Sequence, residues 1–184
     1  MRICQSTFSR LVDYSRIPIS FRVSSKLRVI DGVFELSEEH VSPSWCKDYD
    51  LVEPPTQLPN KWNLKNWAIF LAESDTETSA GCIIARDTPG IELLDGRSDL
   101  AVIWDIRVTP KSRGRGIGTQ LFNAAVSWAH SKGCTELQVE TQDINVAACR
   151  FYEQMGCDLI GVDPNAYKDF PGETQFIWGR PIMR

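Results

Sequence analysis

The sequence lacks the residue patterns on which several classes of site depend. It has only two histidines, His40 and His130, and its six cysteines include no Cys-x-x-Cys pair. Structural zinc sites and compact disulfide frameworks are built from closely spaced groups of such residues, so neither is predicted, and no metal is expected. Cys82, Cys134 and Cys157 lie in apolar runs, where a free cysteine packs as a small hydrophobe. Buried, reduced thiols are therefore predicted.

Long apolar stretches and an excess of positive charge are also missing. No segment approaches the roughly 20 apolar residues that a membrane-spanning helix needs, and the arginines of residues 1–20 are not followed by the apolar stretch of an export signal. The net charge is −4, which disfavours a nucleic acid held by phosphate contacts. These absences predict a cytoplasmic protein without a membrane or nucleic-acid partner, and the charge is compatible with a small cationic ligand.

The length of 184 residues suits one domain with a substantial core. Residues 21–184 are predicted to form that domain, because they contain no internal repeat and no linker-like segment. Residues 1–20 are predicted to be an N-terminal extension. Two readings of this extension stay open: an amphipathic organelle-targeting segment, or a segment that packs on or swaps with a partner.

Apolar runs of strand length alternate with helix-like segments in the second half of the chain. The predicted strands are Lys26–Phe34, Trp67–Glu73, Gly81–Arg86, Leu100–Val108, Thr135–Glu140, Cys157–Val162 and Gln175–Ile182. The predicted helices are Gly116–Lys132, Val146–Met155 and a short one over Ser44–Tyr49 capped by Ser42. Strand–helix–strand spacing implies right-handed crossovers and parallel pairing. The predicted fold class is α/β, with a mixed central sheet that is antiparallel in its N-terminal half, partly parallel in its C-terminal half, and flanked by helices.

A glycine-rich loop joins one predicted strand to one predicted helix. It reads Arg113, Gly114, Arg115, Gly116, Ile117 and Gly118, and is followed by Thr119 and Gln120. Glycines allow a tight turn and a close approach of ligand to backbone, and the first N–H groups of a helix bind anions. The spacing fits neither a P-loop, which needs Lys and Ser or Thr after the last glycine, nor a Rossmann turn. An anion site of another kind is predicted.

Two motifs together resemble the GCN5-related N-acetyltransferase (GNAT) superfamily. The first is Arg-x-x-Gly-x-Gly at Arg113–Gly118; the second runs from Asn145 through Ala148 and Phe151-Tyr152 to Gly156. Their order, with one helix and one strand between them, is more specific than either motif alone. The resemblance covers about Ala101–Val162. It implies a GNAT-like fold and an N-acetyltransferase that uses acetyl-CoA.

A finer resemblance is to the streptothricin acetyltransferases. The run Val139–Asn145 contains a Glu-Thr-Gln-Asp-x-Asn pattern that is similar to theirs, and Asp105-Ile106 is similar to the central strand of that group. The group commonly has a pair of acids in that strand, whereas Trp104 occupies the first position here. This departure leaves the acceptor and the identity of the catalytic base open.

The chemistry of amine acetylation requires a carboxylate in the site. An alkyl ammonium has a pKa of about 10 and must lose a proton before its nitrogen can attack a thioester. Strand periodicity places Ile103, Asp105 and Arg107 on one face. Asp105 is therefore either the base, directly or through water, or the partner of Arg107 in a structural ion pair.

Glu140, near the end of its strand, is the second candidate carboxylate. It would hold the acceptor ammonium while Asp105 takes the proton, or the two roles would be reversed. Its structural alternative is a turn contact. Asp143, next to the following helix, fits such a turn role better.

The resemblance implies roles for the remaining residues. Tyr152 would protonate the departing thiolate, or else be an aromatic core residue; Asn145 would bind the pantetheine amides, cap its helix, or do both. The backbone of Ile106, Arg107 and Val108 would pair with pantetheine, with the Val108 N–H polarising the thioester carbonyl. Arg113 and the backbone of the glycine loop, through Gly114, Arg115, Gly116, Ile117, Gly118 and Thr119, would bind the pyrophosphate. Cys149 has no histidine near it in sequence, which favours direct transfer over an acetyl-cysteine intermediate.

These inferences predict an enzyme that acetylates a primary amine of a small cationic molecule, with a streptothricin-type antibiotic as the expected acceptor. The alternatives are an aminoglycoside, a polyamine, a protein N-terminus or lysine, and a non-catalytic acyl-CoA-binding module on the same fold. The walls of the acceptor site are expected from Glu35–Asn66, Thr88–Ser98 and Asp163–Glu173. A homodimer is implied by resemblance alone.

Overall fold

The computed structural model describes residues 1–30, 35–74 and 77–183. Within these residues, nine strands are β1 (Arg2–Ser6), β2 (Phe21–Val29), β3 (Leu36–Lys47), β4 (Trp67–Glu73), β5 (Thr78–Arg86), β6 (Leu100–Val108), β7 (Glu136–Gln142), β8 (Asp158–Asp163) and β9 (Gln175–Pro181). The α-helices are α1 (Leu11–Ser15), α2 (Leu58–Lys61), α3 (Ile117–Ser131) and α4 (Val146–Gln154). The chain forms two compact units. Unit 1 comprises Met1–Ile19, Tyr49–Gln138 and Pro181–Arg184, and unit 2 comprises Ser20–Asp48 and Val139–Arg180.

Unit 1 contains the meander that the apolar runs predict. The strand order is β1-β4-β5-β6, and each neighbouring pair is antiparallel. Helix α3 packs on β4, β5 and β6 through a stripe of apolar residues that includes Leu121, Phe122 and Ala125, all fully buried. Helix α3 is followed by Gly133, whose positive φ of 80° is a common way to end a helix. The predicted positions of β4, β5, β6 and α3 are confirmed.

The first twenty residues contribute a strand and a helix to unit 1. Strand β1 pairs with β4, with Ile3 opposite Ala72, and helix α1 buries Leu11 and Tyr14. A Cβ added to Gly81 of β5 would lie 2.6 Å from the Tyr14 ring, so Tyr14 packs where only glycine leaves room. Sequence analysis predicted neither element, because five residues are too few to show a reliable apolar period.

A β-bulge in β6 changes which residues share a face. Asp105 lies opposite Ile83, whereas Ile103 lies opposite Ile84, so Trp104 is an extra residue in the ladder. Neighbouring residues of β5 point to opposite faces, and Ile103 and Asp105 therefore do so as well. The prediction that Ile103 shares a face with Asp105 and Arg107 is wrong, since it assumed an unbroken period of two.

Unit 2 contains the second half of β7 with β9 and β8, in the order β7-β9-β8, and the separate antiparallel hairpin β2-β3. The hairpin corrects two expectations. Residues 44–47 form strand and not the predicted helix. The pairing of β2 with β3 shifts register between the pairs Ser25–His40 and Val23–Trp45. Pro43 lies at this shift, where the ladder does not need the N–H that proline lacks. The first predicted strand starts earlier, at Phe21, and residues 31–34 of that prediction lie outside the described residues.

The fold class is the predicted one. The central sheet is mixed, mostly antiparallel with some parallel strands, and helices flank it. Helix α4 and its closing Gly156, with φ of 73°, lie where the second motif predicts them. Of the described helices, none combines the length and the apolar character needed to cross a membrane.

Candidate active site

The glycine loop of unit 1 exposes the N-terminus of α3. Gly114 and Gly116 have φ values of 70° and 75°, a conformation that residues with a Cβ rarely adopt. Gly116 is the N-cap of α3, and no side chain among the described residues caps this end. The N–H groups of the first helical turn, starting at Ile117, have no partner within the helix and carry its positive dipole. The loop therefore has the geometry of an anion site.

Two arginines belong to the glycine loop, and Arg113 contacts the end of β6. Both Arg113 and Arg115 are exposed. Arg113 folds back along the loop and donates from Nε to the backbone carbonyl of Val108, at 3.0 Å. This bond ties the loop to the last residue of β6 and leaves the remaining donors of the guanidinium for a ligand.

Asp105 belongs to a buried charge cluster in unit 1. Arg107, whose side chain is only 2% exposed, donates from Nε to Asp105 Oδ2 at 3.0 Å, from Nη1 to Asp50 Oδ2 at 2.8 Å, and from Nη2 to both carboxylates. It also donates to the carbonyl of Ile17 at 3.0 Å. The ion pair offered as the structural alternative for Asp105 is therefore present. Two carboxylates share one guanidinium, so the cluster has a formal charge of −1.

The second oxygen of the Asp105 carboxylate is Oδ1, and the bonds from Arg107 go to Oδ2. Oδ1 and the hydroxyl oxygen of Tyr14 are both buried, and neither makes a hydrogen bond of good geometry with the described residues, although the two groups are close enough to affect each other's pKa. Burial raises the pKa of the Asp105 carboxyl, against the opposing effect of Arg107, and burial raises that of Tyr14 as well. The Arg107 guanidinium also lies 4.9 Å from the centre of the Tyr14 ring. Neither Tyr14 nor Asp50 was singled out from the sequence, because only folding brings them to Arg107.

Helix α4 of unit 2 carries the residues of the second motif. Asn145 caps the helix, with its Oδ1 accepting from the backbone N–H of Ala148 at 3.3 Å. Tyr152 is 4% exposed, and its ring meets Phe151 edge-on at 5.3 Å between centroids. The capping function predicted for Asn145 is confirmed; its contact with pantetheine stays a prediction.

Cys149 has the surroundings of a structural cysteine. Its sulfur lies 3.5 Å from the Thr141 hydroxyl and donates to the Gln142 carbonyl at 3.7 Å. Burial raises the pKa of the thiol to about 11, so little of it is the thiolate that would act as a nucleophile near neutral pH. Cys82, Cys134 and Cys157 are buried as well, as predicted.

Glu140 differs from Asp105 in its exposure to solvent and in the charge of its hydrogen-bond donors. It is exposed, and both of its oxygens accept from neutral donors. The Tyr167 hydroxyl donates to Oε1 at 2.7 Å, and Gln175 Nε2 donates to Oε2 at 2.9 Å. Asp143, by contrast, is 3% exposed and accepts from the Thr174 N–H at 2.9 Å. Its contact is therefore structural, but it joins two distant segments and is not the turn contact that was expected.

Tyr167 was missed by sequence analysis. It lies in the segment 164–174 between β8 and β9, which was expected only to contribute a substrate wall. The available signal was weak: one tyrosine among polar residues, with no periodicity. The Glu140 contact depends on a chain reversal that brings residues 27 positions apart together.

The same segment lines a cavity of about 370 Å³ in unit 2. Its walls include Trp45, Ile144, Phe170 and Glu173, with Lys26 at the side. Trp45 is 42% exposed, so part of its ring is accessible from solvent. Trp62, in unit 1, does pack, with its ring 5.7 Å from that of Trp104.

Comparison with known proteins defines the class to which these features belong. Residues 37–157 match the model of the acetyltransferase (GNAT) family. The chain belongs to this family of N-acetyltransferases, and the resemblance read from the two motifs is confirmed.

Within the family, the chain is similar to streptothricin acetyltransferases. It is 36% identical over 150 residues to streptothricin acetyltransferase A of Bacillus subtilis (strain 168), which covers 80% of each chain. It is 32% identical over 155 residues to the streptothricin acetyltransferase of Escherichia coli, covering 80% of this chain and 76% of the relative.

Solved structures give the same picture of the fold. A Bacillus anthracis (strain Ames) protein crystallised with acetyl coenzyme A is 26% identical, with a TM-score of 0.78 over 98% of both chains. A nourseothricin acetyltransferase, at 23% identity, has a TM-score of 0.76 over 99% of this chain and 98% of its own.

Proposed function

We propose that the protein transfers the acetyl group of acetyl-CoA to a primary amine of a small cationic molecule, and that a streptothricin-type antibiotic is the acceptor. The observation that carries the proposal is the uncapped N-terminus of α3 behind a loop with Gly114 and Gly116 at positive φ. Such a loop suits the pyrophosphate of coenzyme A. The acceptor is inferred from the streptothricin acetyltransferases of B. subtilis and E. coli.

The donor would be bound by the glycine loop, by the end of β6 and by Asn145. Arg113 and the backbone amides of residues 114–119 would hold the pyrophosphate, and Asn145 would bind the pantetheine amides. The backbone of Ile106–Val108 would pair with pantetheine, with the Val108 N–H polarising the thioester carbonyl. No step needs a metal.

Glu140 is the carboxylate that we propose meets the acceptor. Its exposure and its neutral partners leave its charge to attract an ammonium group, whereas the charge of Asp105 is already shared with Arg107. Glu140 would accept one proton from the ammonium. The competing assignment gives that proton to Asp105, whose pKa is raised by burial.

The transfer itself would be direct. The neutral amine nitrogen forms a bond to the acetyl carbonyl carbon, the carbon–sulfur bond breaks, and the departing thiolate takes the hydroxyl proton of Tyr152. The nitrogen loses its second proton as the amide forms, and that proton restores the Tyr152 hydroxyl. The high pKa of Cys149 argues against an acetyl-cysteine intermediate. A cytoplasmic location and a homodimer stay predictions.

The test is acetyl-CoA-dependent thiol release with streptothricin, an aminoglycoside, spermidine and a peptide with a free N-terminus and a lysine, using wild type and Tyr152→Phe. Turnover on streptothricin that falls about 100-fold in kcat in the variant supports both the acceptor and the general acid. Turnover only on another amine keeps the enzyme and rejects the antibiotic. Binding of acetyl-CoA without turnover on any amine favours the non-catalytic module.

A further inference from the structure

The environment of Glu140 contains a directed chain of hydrogen bonds. Gln142 Nε2 donates to the Tyr167 hydroxyl oxygen at 3.0 Å, and that hydroxyl donates to Glu140 Oε1 at 2.7 Å. An amide nitrogen can only donate, so the hydroxyl must accept from Gln142 and has its own proton for the carboxylate. The third polar atom near the hydroxyl, the Thr141 carbonyl at 3.5 Å, is too distant to compete strongly.

Tyr167 keeps its proton while it makes this bond. Burial, and then the negative charge of Glu140, raise the pKa of the Tyr167 hydroxyl well above its ordinary value. The hydroxyl therefore stays protonated and able to donate near neutral pH. A hydrogen bond to a charged acceptor is stronger than one between neutral groups, and the donation from Gln142 polarises the hydroxyl further.

The segment that carries Tyr167 is anchored at its C-terminal side. Lys47 forms an ion pair with Glu173, with both side chains mostly buried, and its Nζ lies 3.6 Å from the centre of the Phe170 ring. The Thr174 N–H donates to Asp143, and the Asp143 N–H donates to the Thr174 carbonyl, both at 2.9 Å. Gln175, directly after these anchors, donates to the other oxygen of Glu140.

The two donors fix the plane of the carboxylate without neutralising it. Each oxygen of a carboxylate has about two acceptor positions, and one on each is used by Tyr167 or Gln175. Within the described part of the chain, Glu140 has these neutral donors and no ion pair. An oriented anion with free acceptor positions suits a primary ammonium, which offers three donors.

We propose that Tyr167 is the positioning residue for the acceptor: its hydroxyl holds Glu140 so that the free acceptor positions of the carboxylate receive a primary ammonium group. This inference rests on the proposed function. It identifies segment 164–174 as the part of unit 2 that sets the affinity for the amine. The same segment has no assigned contact with the acetyl donor, so donor binding should be independent of it.

The experiment is a double-mutant cycle between Tyr167→Phe and Glu140→Gln, with KM and kcat measured for the amine and for acetyl-CoA. Tyr167→Phe is expected to raise KM for the amine about 10-fold, which corresponds to about 1.4 kcal/mol, with kcat changed less than about 3-fold and KM for acetyl-CoA unchanged. In the Glu140→Gln background the same substitution should change KM less than about 2-fold, because the group that it positions is gone.

Gln142→Leu removes the donor behind the hydroxyl and keeps Tyr167. We expect it to raise KM for the amine about 3-fold in the same direction. Asn165→Ala is the matched control: it lies in the same segment, its backbone N–H bonds to Asp163 and survives the substitution, and its kinetics should equal those of wild type.

Two outcomes overturn the inference. If Tyr167→Phe raises KM for the amine equally with and without the Glu140 carboxylate, the substitution acts on the fold in general. Tyr167 then does not position Glu140. If Tyr167→Phe leaves KM for the amine unchanged in an active enzyme, the hydroxyl has no function in acceptor binding, while the proposed acetyltransferase activity stands. Failure of the proposed function is distinct: wild type then acetylates no amine in the panel, and calorimetry detects no amine bound to wild type, which overturns both proposals.

Discussion

The two candidate carboxylates show how differently one fold can use the same functional group. In unit 1, Asp105 shares the buried guanidinium of Arg107 with Asp50. In unit 2, Glu140 is exposed and has two neutral donors. Removing a charge from water is costly unless it is paired, and in the first arrangement the charge of Asp105 is paired with that of Arg107. The second leaves charge available for a cationic ligand.

The largest expected effect concerns the buried cluster of Asp50, Asp105 and Arg107. Arg107→Leu leaves two carboxylates near each other without their shared partner, and we expect the free energy of unfolding in urea to fall by about 3–5 kcal/mol. The control is Arg113→Leu on the exposed loop, which should change it by less than about 0.5 kcal/mol while weakening acetyl-CoA binding. Equal stability losses in the two variants would contradict the buried cluster.

The second-largest effect tests which carboxylate, Glu140 or Asp105, accepts the proton of the amine. Glu140→Gln keeps the shape of the side chain and removes its charge, so kcat/KM for the amine should fall about 100-fold, with the free energy of unfolding changed by less than about 0.5 kcal/mol. Asp105→Asn should reduce kcat/KM by a smaller factor. Steady-state kinetics of the two variants decide the matter: a larger loss for Asp105→Asn would make Asp105 the base.

A smaller effect concerns pH. The folded-state pKa of Asp105 is raised by burial, so between the unfolded value and the raised one the native state binds more protons, and stability is lost as pH rises through the folded pKa. Wild type should therefore gain stability relative to Asp105→Asn as pH falls from neutral toward about 4.

Asp99 is the control of opposite sign for this pH measurement. Its hydrogen bonds from Arg97 lower its pKa to about 2, so its contribution is present above the unfolded value and is lost as pH falls. Wild type should lose stability relative to Asp99→Asn over the acid range. Urea denaturation at several pH values measures both differences, and parallel trends for the two aspartates would refute the assignment.

The smallest effect is expected at Cys149. With its thiol pKa raised to about 11 by burial, it should take no part in transfer, and Cys149→Ala should keep kcat within about 2-fold of wild type. Mass spectrometry after mixing wild type with acetyl-CoA should detect no acetylated cysteine. A loss of turnover comparable to that of Tyr152→Phe would require a covalent intermediate.

Local sequence was enough for much of the fold. The meander of β4, β5 and β6 follows from continuous apolar runs, and α3 and α4 follow from apolar stripes closed by Gly133 and Gly156. The strand and the helix within residues 1–20 were missed, and part of β3 was predicted to be helix. These elements are short or interrupted by proline, and the strands exist because pairing with β4 or β2 supplies the hydrogen bonds that local propensity does not.

The sequence by itself determined the family and predicted the glycine loop as the donor-binding site, because positive φ at a glycine and an anion site at a helix N-terminus are properties of adjacent residues. Only the tertiary structure decided the partners of the two carboxylates. The bulge at Trp104 turns Asp105 toward Tyr14 and Arg107, and segment 164–174 brings Tyr167 to Glu140. Contacts between side chains far apart in sequence depend on how the backbone packs, and no short pattern encodes them.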